Sequence, residues 1–189
     1  MRFNLIGNRS NSLCRSAVAR RSGRGGGPVG DEPIDAGQRI DPLELGPVAG
    51  DLPAGFETLR AEALAEGFRQ VERLAAEWAS RTTRFDDEGE ALLAARLNGV
   101  LAGIGGLTIE PVVPGALRMR RFYVRPRFRR CGVGRKLATA LLKQTEQTGR
   151  LITVNAAAGS VLFWEALGFK PDLRGGHTHV LNGRYKAEP

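Results

Sequence analysis

Apolar positions change period several times along the chain, and each change marks an element. Between residues 56 and 79 they fall at three- and four-residue spacing: Phe56, Leu59 and Ala63, then Phe68, Val71, Leu74, Ala75 and Trp78. Such a stripe predicts helix, and Gly67 between the two sets divides it into two helices. Residues 81–89 are polar, contain Asp86-Asp87-Glu88-Gly89, and read as a loop. Residues 90–97 and 100–109 read as strands joined by Asn98-Gly99. Both turn residues tolerate positive φ, so Asn-Gly between apolar runs signals a tight hairpin. Gly103, Gly105 and Gly106 weaken the second strand and imply a bulge or the close approach of another group. Pro111 and Pro114 bound a loop, Leu117–Val124 is the next strand, and Pro126 ends it.

A basic glycine loop then opens a helix over 132–147. A strand at 151–154, a helix at 159–167 and a strand at 177–181 complete the chain. The order α-α-β-β-β-α-β-α-β is that of a mixed α/β (α+β) domain. The expected domain covers 51–189, and residues 1–50 form a basic, Gly/Pro-rich tail and linker. Residues 1–30 carry Arg2, Arg9, Arg15, Arg20, Arg21 and Arg24 and no acid, and include Gly25-Gly26-Gly27-Pro28. Three consecutive glycines are entropically costly to order, so disorder is expected there. The same Arg- and Ser-rich composition is that of a targeting segment. Pro33, Pro42 and Pro47 mark residues 31–50 as linker, within which Leu43-Glu44-Leu45 can begin a first strand.

Composition narrows the chemistry. In 189 residues, 42% are hydrophobic and 25% charged, a globular balance with a core. No run approaches the ~18 apolar residues of a membrane span. Two cysteines, Cys14 and Cys131, cannot build a disulfide framework or a four-thiolate zinc site. With only two histidines beside them no metal is expected, and the count fits a reducing, cytoplasmic setting.

Charge changes the picture more. The net charge is +8, but residues 118–136 alone hold nine cations and no acid: Arg118, Arg120, Arg121, Arg125, Arg127, Arg129, Arg130, Arg135 and Lys136. Taking nine from +8 leaves −1 for the rest, so the basicity is local and points to an anion. Within it Phe122-Tyr123-Val124-Arg125-Pro126 leads into Arg129-Arg130-Cys131-Gly132-Val133-Gly134-Arg135 at the start of a helix. Helix starts leave N–H groups unpaired, glycine lets them approach a ligand, and arginine adds charge-assisted bonds, so a phosphate or pyrophosphate cradle is expected. The Gly-Lys-Ser/Thr ending of a P-loop is missing, as are the third glycine and distant acid of a dinucleotide fold.

Arg129-x-x-Gly132-x-Gly134 after Val124-x-Pro126 resembles the coenzyme A loop of the GNAT superfamily of N-acetyltransferases. Downstream, Asn155 and then Phe163-Trp164-Glu165-Ala166-Leu167-Gly168-Phe169 resemble that superfamily's later strand–helix unit, and the likeness covers roughly residues 55–182. It implies a mostly antiparallel sheet with one splayed parallel strand pair, Leu117–Val124 and 151–154, flanked by helices. It implies acetyl-CoA as cosubstrate, held by Phe122, Tyr123, Val124, Arg129, Arg130, Cys131, Gly132, Val133, Gly134, Arg135, Asn155 and Trp164. An acceptor amine, on a small molecule or a protein, would attack the thioester directly, with no acyl-enzyme. A homodimer is compatible with this reading; a membrane is not a partner, and nucleic acid is disfavoured.

Two departures from the family pattern stand out. Arg130 occupies a position where glycine is common, and Trp164 occupies that of a tyrosine which often acts as general acid. Candidate catalytic groups are Glu110, His179 and Tyr123, with His177 and Tyr185 as alternatives. Cys131, at a helix start beside arginines, is expected to have a depressed thiol pKa. Arg118, Arg120 or Arg121, if facing the acceptor, would favour one carrying a carboxylate or phosphate. The competing readings are an acetyl-CoA binder without turnover and a basic nucleic-acid-binding module.

Overall fold

Residues 43–183 are described by a computed structural model; the expectations for residues 1–42, with Cys14, and for Tyr185 lie outside the described residues. Seven strands form one sheet in the order β1-β2-β3-β4-β5-β7-β6. They are β1 (Glu44–Pro47), β2 (Ala91–Leu97), β3 (Val100–Ile109), β4 (Leu117–Val124), β5 (Gly149–Val154), β6 (Lys170–Pro171) and β7 (His179–Gly183). Every neighbouring pair is antiparallel except β4 and β5. The helices are α1 (Phe56–Ala65), α2 (Gln70–Ser80), α3 (Val133–Lys143) and the short α4 (Val161–Glu165).

The expected mixed α/β architecture is therefore the observed one. The helical stripe of 56–79 breaks at Gly67, which adopts φ 79°, and gives α1 and α2. Asn98 and Gly99 both take positive φ and close the β2–β3 hairpin. The first strand expected to begin at Leu43-Glu44-Leu45 is present as β1, paired with β2. Other details differ. Helix α3 stops at Lys143, because residues 144–148 are turns. The last strand, expected over 177–181, runs over His179–Gly183. Strand β6 is only two residues long, below any periodic signal.

Two apolar layers sandwich the sheet. On one face α1 and α2 bury Phe56, Leu59, Val71, Leu74 and Trp78 against Leu92, Ala94, Leu101, Ile104 and Tyr123. On the other, α3 buries Val133, Leu137, Ala138, Leu141 and Leu142 against Leu93, Leu107, Leu117, Met119 and Ile152. Each fully buried Leu in these layers contributes about 1.5–3 kcal/mol. Among the described residues no helix is long and apolar enough to cross a membrane.

The glycines of β3 mark where other groups come close. A Cβ at Gly105 would overlap the Phe122 ring, and one at Gly106 the Phe85 ring. At Gly103 it would stand 2.9 Å from the carbonyl oxygen of Tyr123. Register explains the first of these. Ile104 pairs with Tyr123 and Gly106 with Arg120, so Gly105 lies opposite both Arg121 and Phe122. Arg121 is the bulge residue and takes φ 54°. The expected bulge is thus present, carried on β4 opposite the glycines.

Gly106→Ala should lower stability by about 1–3 kcal/mol through overpacking against Phe85. The denaturant midpoint measures it, and an unchanged midpoint would contradict the packing described.

Candidate active site

Strands β4 and β5 pair in parallel over Leu117–Ile152, Arg118–Thr153 and Met119–Val154 only. β4 then continues to Val124 with no partner on that edge, while β5 ends and is followed by exposed Asn155. The result is a fork in the sheet. The bulge at Arg121 falls just beyond it and turns Phe122 toward α4. There Phe122 lies 5.2 Å from the Trp164 ring and 6.2 Å from that of Phe163. Trp164 in turn packs edge-on against Phe163 and Phe169. Trp164 is buried, so it forms a wall of the fork rather than a surface contact.

Beyond β4 a short 3-10 turn (Pro126–Phe128) carries the chain to Gly132, the N-cap of α3. Gly132 takes φ 78°, a conformation other residues adopt at a cost, and a Cβ there would meet nothing within 4 Å. No described side chain caps the helix, so its first N–H groups lack a capping partner. Arg130, Arg135 and Lys136 stand exposed around this end, and no described residue bonds their charges. Arg130 has φ 62°, which explains why glycine suits its position. A Cβ added at Gly134 would meet the Phe163 ring at ordinary van der Waals distance.

Other arginines of the basic segment are engaged internally. Arg125 binds Glu62 through two hydrogen bonds of 2.8 and 2.6 Å. Arg129 binds Glu66 at 2.8 and 2.5 Å, and its guanidinium stacks near the Tyr123 ring. Arg121 binds both carboxylate oxygens of Glu77. Arg118 donates to Glu110 at 2.5 Å. So Arg129, expected among the acetyl-CoA-binding residues, fastens the loop to the C-terminal end of α1. Arg130, Arg135 and Lys136 make no such bond among the described residues. Cys131 is disulfide-bonded rather than a free thiol, so its expected low pKa does not apply.

The expected catalytic groups do not converge. Glu110 is fully buried and accepts hydrogen bonds from Arg118, from the Thr153 hydroxyl at 2.6 Å and from the Val112 N–H. Burial alone would raise its pKa, but these bonds outweigh it and hold the carboxyl low. That is a structural carboxylate, poor at taking a proton. Tyr123 is buried on the α1/α2 side and donates its hydroxyl to Glu66 at 2.6 Å. Burial first, and then Glu66, push its pKa well up, so it stays protonated with its proton committed to Glu66. His179 is buried on β7, with Nδ1 2.9 Å from the Thr178 hydroxyl and Nε2 4.0 Å from Glu165 of α4. His177 is buried with both ring nitrogens unpartnered among the described residues.

Two residues of interest went unnoticed in the sequence. Gln70, at the start of α2, donates to the carbonyl of Phe122 at 3.4 Å. Glu90 precedes β2 and shares the α1/α2 face of the sheet with Leu92 and Ala94. Its Oε1 accepts the Ile109 N–H at 2.9 Å. Burial, with Asp87 and Asp86 nearby, raises its pKa despite that bond and the field of Arg120. Only the run of acids ahead of the strand hinted at it.

Comparisons with known proteins place this fold in a family. The family model for the acetyltransferase (GNAT) domain matches residues 55–179. The chain therefore belongs to the GNAT acetyltransferases and is, as a member, an acyltransferase. Solved structures share its fold. A candidate acetyltransferase from Exiguobacterium sp. 255-15 superposes with a TM-score of 0.67 at 23% identity, covering 75% of this chain and 93% of that one. A GNAT-family acetyltransferase from Staphylococcus aureus Mu50 gives 0.55 at 14%, covering 75% and 99%. A candidate acetyltransferase from Salmonella typhimurium, solved with its cofactor acetyl-CoA, gives 0.55 at 17%, covering 78% and 98%. No curated protein matches.

The Arg–Glu pairs predict an acid limb of stability. Glu62 and Glu66 lie below the ordinary value of 4.5, chiefly through their bonds to Arg125 and Arg129. A depressed carboxylate stabilises the fold above its unfolded pKa, and the gain is lost as pH falls through the folded one. Denaturant midpoints should therefore fall below pH 4.5, and more shallowly in the Glu62→Gln/Glu66→Gln double variant.

Proposed function

We propose that the protein transfers the acetyl group of acetyl-CoA to the primary amine of an acceptor, a small amino-acid-like molecule. The observation that carries this reading is one continuous path. The edge of β4 from Arg120 to Val124, which has no strand partner and whose Phe122 and Val124 carbonyls are met by the Gln70 and Arg129 side chains, runs into the uncapped, glycine-led start of α3, where Arg130, Arg135 and Lys136 are unpaired among the described residues. Acetyl-CoA has a matching sequence of groups: a thioester, an amide-bearing arm and a pyrophosphate. The solved Salmonella typhimurium relative supports the same cosubstrate.

In this reading the α3 N–H groups, with Arg130, Arg135 and Lys136, hold the pyrophosphate. The edge of β4 around Phe122 and Val124 receives the amide-bearing arm as an added strand would. Phe122, Phe163 and Trp164 exclude water from the fork. When bound, acetyl-CoA supplies an activated acetyl group, so the protein's task is chiefly to position the amine. Glu90 takes the proton of that amine. Its Oε2 is unpartnered among the described residues, and burial raises its pKa toward the working range of a base.

A second reading is favoured by one observation. Trp164 is buried and the Tyr123 hydroxyl is committed to Glu66, so neither protonates a departing thiolate. An acetyl-CoA binder without turnover fits that fact. A nucleic-acid module fits less well, since Arg118, Arg121, Arg125 and Arg129 are already paired with carboxylates.

Calorimetric titration of acetyl-CoA should give a dissociation constant of about 1 μM–1 mM. Gly132→Glu should abolish binding, because it adds a negative charge at the helix start and a Cβ at φ 78°. Equal binding by that variant would sink the cradle. Glu90→Gln should lower kcat about 100-fold or more with acetyl-CoA binding retained. An unchanged kcat would return the base to another group.

A further inference from the structure

The reading above leaves one cation without a task. β4 carries Arg118, Arg120 and Arg121, and two of the three are matched: Arg118 by Glu110, Arg121 by Glu77. Arg120 is half-buried and makes no hydrogen bond or ion pair with any described residue. Water can satisfy only part of it, and an unpaired guanidinium taken out of water costs free energy. Burial and then the like charges of Arg121 and Arg118 oppose its charge, while Glu77 and Glu110 support it from bonds already made to its neighbours. Glu90 feels its field but stays beyond ion-pair distance, with one oxygen on the Ile109 N–H. The fold thus holds in place a cation for which no described residue supplies a partner.

Its position says which partner. Met119 is the last residue of β4 to pair with β5, and Arg120 is the next. Met119 belongs to the α3 layer, so alternation sets Arg120 on the opposite face, the side of Tyr123 and α2. Glu90 lies on that same face. Arg120 therefore stands at the mouth of the fork, across the sheet from α3, where an acceptor amine must arrive to meet an acetyl group held along β4.

We propose that Arg120 binds a carboxylate of the acceptor, so that the substrate class is an amine that also carries a carboxylate, as an amino acid does. This rests on the acetyl-transfer reading given above. With Arg118 and Arg121 bonded to carboxylates, Arg120 is the guanidinium of β4 that has no hydrogen-bond partner among the described residues, and a carboxylate supplies one through a bidentate pair. A phosphate, with about −1.5 to −2 charges, would leave excess negative charge beside Glu77, Glu90 and Glu110.

The test uses the full chain with acetyl-CoA as donor and follows thiol release. The acceptors are the common L-amino acids, their C-terminal amides, and phosphoethanolamine. At least one free acid should exceed its amide in kcat/KM by about 10–100-fold, the size of a charge-assisted bond. Arg120→Gln should bring that ratio near unity, acting through KM. Its thermal midpoint should equal or exceed that of the parent, because an unpaired charge is removed, whereas Arg118→Gln should melt lower. A ratio that survives Arg120→Gln overturns the proposal, as does an Arg120→Gln that melts as low as Arg118→Gln. So does preference for the amide or for phosphoethanolamine, or acetyl-CoA binding with no carboxylate-bearing amine acetylated. Failure of the parent protein to bind acetyl-CoA overturns the transfer reading itself, and calorimetry separates that result from the others.

Discussion

The parting of β4 from β5 after three residue pairs is the constraint on which the site depends. A sheet normally satisfies the backbone groups of each inner strand on both edges. Here the edge of β4 beyond Met119 has no strand partner, and that is tolerable only where side chains, water or a ligand meet those groups. Two features hold the strands apart. The bulge at Arg121 re-aims the strand, and the rings of Phe122, Phe163 and Trp164 fill the gap from the α4 side. Room for the bulged strand comes from Gly105, where any Cβ would collide with Phe122.

A set of arginine–carboxylate pairs then fixes β4 and its loop to the helices. Glu62 and Glu66 lie one turn apart on α1 and at its C-cap, and they bind Arg125 and Arg129 at the two ends of the 3-10 turn. Glu77 of α2 binds the bulge residue Arg121. All three pairs are bidentate, and those of Arg121 and Arg125 are partly buried, which makes them stronger and more directional than exposed ion pairs. They position the loop, and they remove charge from the surface. The segment therefore presents less free positive charge than its nine cations suggest.

Much of the fold was legible because its signals are local. The stripe of 56–79, the Asn98-Gly99 turn and the limits of β4 are set by neighbours within a few residues. The glycine loop was legible for the same reason, since a helix start led by Gly132 needs no distant contact to be recognised. Strand β1 was legible only as a start at Leu43-Glu44-Leu45, and β6 not at all, because each is four residues or fewer and lies beside a longer strand.

Charge and spacing within residues 118–136, with the motif at 163–169, sufficed to raise the expectation of an anion-binding loop and the family resemblance. They could not say which cations are free. Glu62, Glu66 and Glu77 lie 63, 63 and 44 positions from the arginines they bind. Glu110 likewise looked like an available base until Arg118 and Thr153, the latter 43 positions away, closed around it. Sequence alone determined the elements and the loop, because helix, turn and glycine preferences act over short range. The tertiary structure decided which charges remain to act on a ligand, because ion pairing is settled by distance in space.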